Sequence, residues 1–130
     1  MRQLATLHNA LMMLDEIQTG LGRTGKLFAY QYEEAKPDVL LLGKALGGGV
    51  YPVSAMLSAN HVMDVFGPGD HGSTFGGNPL GSAVGQAALE VLEEENLVEK
   101  AFTLGQYFRE GLEKIQSPLV AEIRGKGLLI

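Results

Sequence analysis

Short runs of consecutive apolar residues constrain the fold of this chain more than any other feature of its sequence. Two such runs cover residues 11–14 and 39–42 without interruption. Uninterrupted apolar runs of this length are typical of strands that are buried on both faces of a parallel sheet. Residues 53–57 and 120–123 are a third and a fourth candidate strand. The pattern therefore predicts an α/β fold with a mostly parallel sheet and flanking helices.

Two longer segments carry the period of an α-helix. Asn78 and Pro79 provide a cap and a first-turn proline, and apolar residues then recur at helical spacing. Asn96 and Glu99 have the spacing of a capping box, and a second apolar helical face follows them up to Ile115. Shorter helical segments are expected over residues 3–10 and 27–34.

The composition limits the class of protein. The chain has 130 residues, 45% of them hydrophobic, and a formal net charge of −5. These values fit one globular domain and exclude disorder, and the acidic balance argues against a nucleic-acid partner. The absence of cysteine excludes disulfides, thiolate metal ligands and a cysteine nucleophile. Because no apolar run approaches the roughly 18 residues of a membrane span, we expect a cytoplasmic protein without a membrane partner.

Both ends of the chain have an unusual pattern. The helix expected at residues 3–10 has no start signal before it, and the apolar residues 128–130 have the pattern of a strand that enters a sheet. We therefore expect a segment of a longer protein, and the alternative is a natural C-terminal strand within the sheet. If the natural N-terminus lies upstream, an organelle matrix is an alternative location to the cytoplasm.

The first glycine-rich segment matches two nucleotide-binding patterns incompletely. Residues 20–25 fit G-x-G-x-x-G, and with Lys26 they fit the start of a P-loop. Leu27 stands where a P-loop needs a hydroxyl, and four residues separate the glycines from the preceding strand. We therefore favour a loop in which Arg23 and Lys26 face solvent.

Charged residues follow the two most apolar strands. Asp15 comes directly after the first, and Lys44 comes one residue after the second. Ligands of open α/β sheets bind at the carboxyl ends of the strands, so the two side chains are expected at one crevice. The glycines at 43 and 47–49 would let a flat ligand approach. A lysine beside an apolar sheet also loses hydration, which favours a nucleophilic amine that can bind an aldehyde. The alternative is a surface salt bridge.

A third glycine-rich segment, residues 71–78, carries Ser73 and Thr74 just before a predicted helix. Hydroxyls and free backbone amides at a helix N-terminus suit a phosphate, although both residues are also common in turns. A lysine for an aldehyde, a carboxylate for a ring cation and hydroxyls for a phosphate are together the groups that pyridoxal phosphate requires.

Three motifs in register resemble the class III pyridoxal-phosphate aminotransferases. They are DEIQTGLGRTG at 15–25, GKALGGG at 43–49 and HGSTFGGNP at 71–79. Within that class, GVYPVSA at 49–55 and RGKGLL at 124–129 are most similar to the members that act on ornithine. The resemblance covers essentially the whole chain.

The resemblance implies a role for each matched residue. Lys44 would bind pyridoxal 5'-phosphate covalently and then carry the substrate proton, and Asp15 would pair with the ring nitrogen. Gln18 would contact the ring hydroxyl; the alternative is a solvent-facing amide. Thr74, with Ser73 as a lesser candidate, would reach the phosphate from the neighbouring subunit, which implies a homodimer or a higher oligomer.

The resemblance also implies a reaction and a domain organisation. The terminal amino group of ornithine would pass to 2-oxoglutarate, giving glutamate semialdehyde and glutamate, so that the partners are small amino acids and 2-oxo acids. Residues 1–117 would form the later part of the large domain of a fold-type I transferase, and residues 118–130 would begin the small domain. Alternatives are an acetylornithine or 4-aminobutyrate aminotransferase, or a non-catalytic fragment that associates with itself.

Overall fold

The computed structural model describes all residues, 1–130, and contains one three-stranded sheet. The strands are β1 (Met13–Asp15), β2 (Val39–Leu42) and β3 (Ala55–Ser58), in the order β1-β2-β3. β1 pairs with β2 in parallel, and β3 pairs with β2 in antiparallel orientation. The predicted α/β class is confirmed, and the sheet is mixed because β3 returns against β2.

Four α-helices and two short 3₁₀ helices complete the fold. The α-helices are α1 (Arg2–Leu7), α2 (Asn60–Met63), α3 (Pro79–Glu94) and α4 (Leu97–Glu113), and the 3₁₀ helices cover Ala29–Tyr32 and Lys44–Gly47. α3 begins where the sequence predicts, because Asn78 Oδ1 accepts a hydrogen bond from the backbone N–H of Gly81 at 2.8 Å. None of the helices is both long and apolar enough to cross a membrane.

The predicted capping box at the start of α4 is wrong, although the helix itself is present. Asn96 has φ 51 and ψ 45, and its side chain makes no capping hydrogen bond. The chain needs this left-handed residue to turn from α3 into α4, and asparagine tolerates the conformation better than most residues. The conformation of Asn96 therefore serves to reverse the chain between α3 and α4 and does not produce a side-chain cap.

The predicted strand at residues 120–123 is also wrong. These residues have no strand pairing, and the only bridge in the C-terminal segment joins Lys126 to Leu129. A strand requires a neighbour with free backbone groups, and residues 120–123 instead lie beside the end of α4, around an open cavity that Leu112 and Ile115 also line. An apolar run is therefore not sufficient to predict a strand at residues 120–123.

The core lies between the sheet and α3. Its buried members are Leu21, Leu40, Leu42 and Leu46, and Val53 and Leu92 pack against them. β2 is the most buried strand, as its apolar run predicts. Since Leu46 follows Lys44 within one 3₁₀ turn, the core fixes the backbone next to the lysine.

The chain exposes a large surface for its mass. Its accessible area is 9591 Å² at 13.9 kDa. A compact monomer of this mass exposes roughly 6,700 Å². Large apolar side chains on the long helices contribute to the difference, including Leu80, Leu104, Tyr107 and Phe108. These faces have the composition of surfaces that another part of a protein covers.

Candidate active site

The carboxyl ends of β1 and β2 meet at one edge of the sheet. Asp15 is the last residue of β1 and is in register with Leu41 of β2. β2 ends one residue later, and Gly43 and Lys44 follow it directly. Because the two strands are parallel, the acid and the amine leave the sheet at the same edge, as the sequence predicts.

A hydrogen bond joins Lys44 to Gln18. The Nζ atom of Lys44 donates to Oε1 of Gln18 at 3.3 Å, and both residues are exposed. Only the family resemblance predicts a role for Gln18, and the structure brings it to the lysine across 26 positions of sequence. The turn after β1 and the turn after β2 are therefore in direct contact at this edge.

The backbone of Lys44 has an unusual conformation. Its φ is 43, in the left-handed region that glycine adopts more readily than other residues. Gly43 before it is extended, and the 3₁₀ helix Lys44–Gly47 follows. Such strain is concentrated at functional sites, where a side chain must be held in one direction.

The exposure of Lys44 corrects one expectation. The sequence predicts that an apolar sheet removes water from its amine, but the side chain lies at the surface. The burial stops at Gly43 and resumes at Leu46, because the left-handed turn carries Lys44 away from the sheet. Within this chain the amine is accessible and hydrated.

Asp15 keeps one carboxylate oxygen free. Its Oδ1 accepts from the backbone N–H of Ile17 at 2.9 Å, and its Oδ2 accepts no hydrogen bond. Asp15 forms no ion pair with Lys44, so the alternative of a salt bridge between them is wrong. The acid is oriented by its own turn and remains available to a cationic N–H group.

Glu16, which was not among the predicted site residues, is the buried acid of this edge. It is only 4% exposed, and its carboxylate accepts three hydrogen bonds. The donors are the Thr19 hydroxyl at 3.0 Å and the backbone N–H groups of Ala29 and Tyr30 at 2.8 Å each. The sequence does show a second acid directly after Asp15, at the end of an apolar strand. It does not show the partners of that acid, because Ala29 and Tyr30 lie 13 and 14 positions away.

The predicted phosphate ligands, Ser73 and Thr74, make no hydrogen bond with this cluster. Ser73 and Thr74 are in an exposed loop, and no hydrogen bond connects them to Lys44, Gln18 or Asp15. Ser73 Oγ accepts from the backbone N–H of Gly76 at 2.9 Å, as a turn-forming serine does. The Thr74 hydroxyl makes no hydrogen bond within the chain, so it remains available to a ligand.

The glycines of the 20–25 loop are explained by packing. A Cβ atom at Gly22 would lie 3.3 Å from Val98, and one at Gly25 would lie 2.9 Å from Phe102, both on α4. Both glycines also have positive φ values. Arg23 is exposed, as predicted. This loop therefore supports the helix α4, which accounts for its nucleotide-like spacing.

The opposite edge of the sheet carries a separate charge cluster. Asp38, just before β2, accepts from the backbone N–H of Met12 at 2.7 Å and pairs with Arg2 at 2.5 Å. The hydrogen bond from Met12 and the guanidinium of Arg2 lower the pKa of Asp38 below its usual 3.8. This carboxylate stabilises the far ends of the strands and lies away from Lys44.

The sequence matches the Aminotransferase class-III family over residues 1–130. The ornithine aminotransferase of an Exiguobacterium species is 56% identical over 128 residues, 98% of this chain and 32% of the relative. The acetylornithine aminotransferase of Elizabethkingia anophelis superposes with a TM-score of 0.92 at 55% identity, over 97% of this chain and 32% of that one. The ornithine aminotransferase of Toxoplasma gondii has pyridoxal phosphate at partial occupancy in its active site. It superposes with a TM-score of 0.93 at 51% identity, over 97% of this chain and 30% of that one.

The chain spans about a third of the length of these relatives. The match extends through the edge that contains Asp15, Gln18 and Lys44 and through the loop with Thr74. On this sequence match and on the agreement of the folds, the chain belongs to the class III aminotransferase family.

Proposed function

We propose that this chain carries the cofactor-binding lysine of an aminotransferase that transfers the terminal amino group of ornithine to 2-oxoglutarate. The observation that supports the proposal most directly is the contact between Lys44 Nζ and Gln18 Oε1 at 3.3 Å, at the same edge of the sheet as Asp15. These are an amine, an amide and a carboxylate at the carboxyl ends of two parallel strands. That set of groups fits pyridoxal phosphate.

Each of the three residues has an atom available for the cofactor. Pyridoxal phosphate, when bound, supplies an electron sink for the carbanion formed at the substrate carbon. Lys44 Nζ is exposed and would be the nucleophile for the aldehyde and the group that carries the substrate proton. Asp15 Oδ2 would pair with the protonated ring nitrogen. Because Gln18 Oε1 accepts from Lys44, Gln18 Nε2 is left to donate to the ring hydroxyl.

Thr74 supports the dimeric part of the proposal. Its hydroxyl has no partner within the chain, and its loop makes no hydrogen bond with the Lys44 edge. We place it at the phosphate of the neighbouring subunit's site, in a homodimer. The large exposed area of the chain and the apolar faces of α3 and α4 agree with association.

The donor substrate is the finer part of the proposal. The Exiguobacterium ornithine enzyme and the Elizabethkingia acetylornithine enzyme match this chain at 56% and 55% identity. We favour ornithine because relatives with 55% to 57% identity are ornithine aminotransferases. Acetylornithine and 4-aminobutyrate are the alternatives. We assign residues 1–117 to the large domain and residues 118–130 to the start of the small domain.

Covalent capture of the cofactor tests the site. The chain is mixed with pyridoxal phosphate, reduced with borohydride and digested, and the adduct is located by mass spectrometry. We expect one predominant label at Lys44, which Lys44→Ala abolishes. Lys36→Ala removes another exposed lysine and is the matched control, which should leave the label at Lys44 unchanged.

Three results would each contradict part of the proposal. Labels scattered over the surface lysines and insensitive to Lys44→Ala would favour the non-catalytic, self-associating fragment. A monomer by light scattering at micromolar concentration would contradict the dimer. For the donor, a single-turnover assay with ornithine, acetylornithine and 4-aminobutyrate should give amino transfer from ornithine fastest, and a faster reaction with either alternative would replace it.

A further inference from the structure

Glu16 lies inside the turn that carries two of the proposed cofactor contacts. Asp15 precedes it, and Gln18 follows it by two residues. Its own backbone is fixed on both sides, because its N–H donates to Leu41 O of β2 at 3.0 Å and its C=O accepts from Gly20 at 2.9 Å. The residue therefore connects the sheet edge to the whole turn.

The carboxylate of Glu16 is buried without a cation. Its three donors, the Thr19 hydroxyl and the N–H groups of Ala29 and Tyr30, are all uncharged. No basic side chain forms an ion pair with it. A buried acid in such a setting is stabilised only while every donor is aligned, so the site is sensitive to any change in the geometry of the turn.

The donors come from two different segments. Thr19 belongs to the turn after β1, and Ala29 and Tyr30 begin the 3₁₀ helix Ala29–Tyr32. Within that helix Gln31 Oε1 accepts from the backbone N–H of Phe28 at 3.0 Å, but no side chain of the helix accepts from Ala29 or Tyr30. Glu16 therefore caps that helix from 13 positions earlier in the chain. Its carboxylate ties the turn after β1 to this 3₁₀ helix.

We propose that Glu16 is a positioning residue for the cofactor edge: its buried carboxylate fixes the turn that aims Asp15 and Gln18. It touches neither the reacting atoms nor Lys44, and acts through the Gln18–Lys44 hydrogen bond. This inference rests on the proposed function for its role in catalysis, but its structural part does not require bound cofactor. Loss of the carboxylate releases the turn, and Gln18 leaves Lys44.

The test replaces the carboxylate and observes Gln18. Glu16→Gln has nearly the same shape, but its NH₂ group replaces one acceptor oxygen and faces hydrogen-bond donors. The side-chain amide signals of Gln18 are followed by NMR in the cofactor-free chain, and Lys44→Ala defines their position without the lysine contact. We expect Glu16→Gln to move these signals toward that position.

Asp38→Asn is the matched control. Asp38 is also a carboxylate that accepts a backbone hydrogen bond, but it lies at the opposite edge of the sheet. Its replacement removes comparable bonds and should leave the Gln18 signals unchanged. Gln18 signals that stay at the wild-type position in folded Glu16→Gln would overturn the inference, and so would an equal movement in Asp38→Asn.

A second pair of variants decides the matter if Glu16→Gln does not fold. Thr19→Val removes one donor to Glu16 with little change of shape, and Thr19→Ser retains the hydroxyl. We expect displaced Gln18 signals in the first variant and wild-type signals in the second. Equal signals in both variants would refute the positioning role.

Cofactor capture separates this inference from the proposed function. With pyridoxal phosphate, Glu16→Gln should slow the labelling of Lys44 roughly 10- to 100-fold and shift the pH midpoint of the visible absorbance band, while Asp38→Asn should change neither. A wild-type chain that is not labelled at Lys44 would refute the proposed function, and the Gln18 signals would still decide the role of Glu16.

Discussion

The contact between the 20–25 loop and α4 makes a sharp prediction for Gly25→Ala. Gly25 has φ +84, and a Cβ atom there would lie 2.9 Å from Phe102 Cβ and 3.0 Å from Phe102 Cα. Comfortable carbon contacts are about 3.5–4.0 Å, and the nearest atoms belong to the backbone and the root of a side chain, which cannot swing away.

Two costs add at this position. Forcing a residue with a Cβ atom into the left-handed region costs about 1–2 kcal/mol. Overpacking against α4 costs about 1–3 kcal/mol more. We therefore expect Gly25→Ala to lower the free energy of unfolding by about 2–5 kcal/mol, because the loop must move away from the helix or keep both strains.

Gly111→Ala is the matched control, because it makes the same chemical change within α4 itself. A Cβ atom at Gly111 would meet nothing within 4 Å, and its φ is not positive. Alanine in a helix interior is more stable than glycine by about 0.5–1 kcal/mol, so this variant should gain stability.

Urea unfolding followed by circular dichroism measures both variants. The urea concentration at the unfolding midpoint should be highest for Gly111→Ala, intermediate for the wild type and lowest for Gly25→Ala. A Gly25→Ala chain as stable as the wild type would show that the loop does not pack on α4 as described. A loss of stability in Gly111→Ala would instead show that the surface of α4 at that point is covered in solution.

Two further predictions concern the ends of elements. The hydrogen bond from Met12 and the guanidinium of Arg2 lower the pKa of Asp38, so the stability that this carboxylate contributes is fully present above pH 3.8 and is lost as the pH falls through its lower folded-state pKa. Asp38→Asn should therefore make the free energy of unfolding depend less steeply on pH below about pH 4. An unchanged pH dependence in acid unfolding would contradict this. Asn78→Ala should lower the free energy of unfolding by about 1 kcal/mol through loss of the cap to Gly81, whereas Asn78→Ser should retain most of it; equal urea midpoints for the two variants would exclude the cap.

Features that depend on neighbouring residues could be predicted from the sequence. The start of α3 follows from Asn78 and Pro79, because a cap and a fixed φ act within one turn. β2 has the predicted bounds because burial on both faces requires apolar side chains at successive positions. Lys44 and Asp15 then lie at one edge because parallel strands share a carboxyl end.

Other features depend on contacts between distant residues and could not be predicted. The antiparallel direction of β3 depends on how residues 43–54 return along β2, and no local pattern encodes that path. Asn96 is left-handed because α3 and α4 pack together. The partners of Glu16 are Ala29 and Tyr30, 13 and 14 positions away, so its position beside Asp15 could mark it as unusual but could not identify those partners.

The left-handed backbone of Lys44 has a consequence for how this position tolerates change. A side chain with a Cβ atom at φ 43 raises the energy of the folded state by about 1–2 kcal/mol relative to glycine. Selection for heat resistance alone would therefore favour glycine here and discard the amine. The fold gives up part of its stability to hold a lysine here, which agrees with the proposed role of its amine.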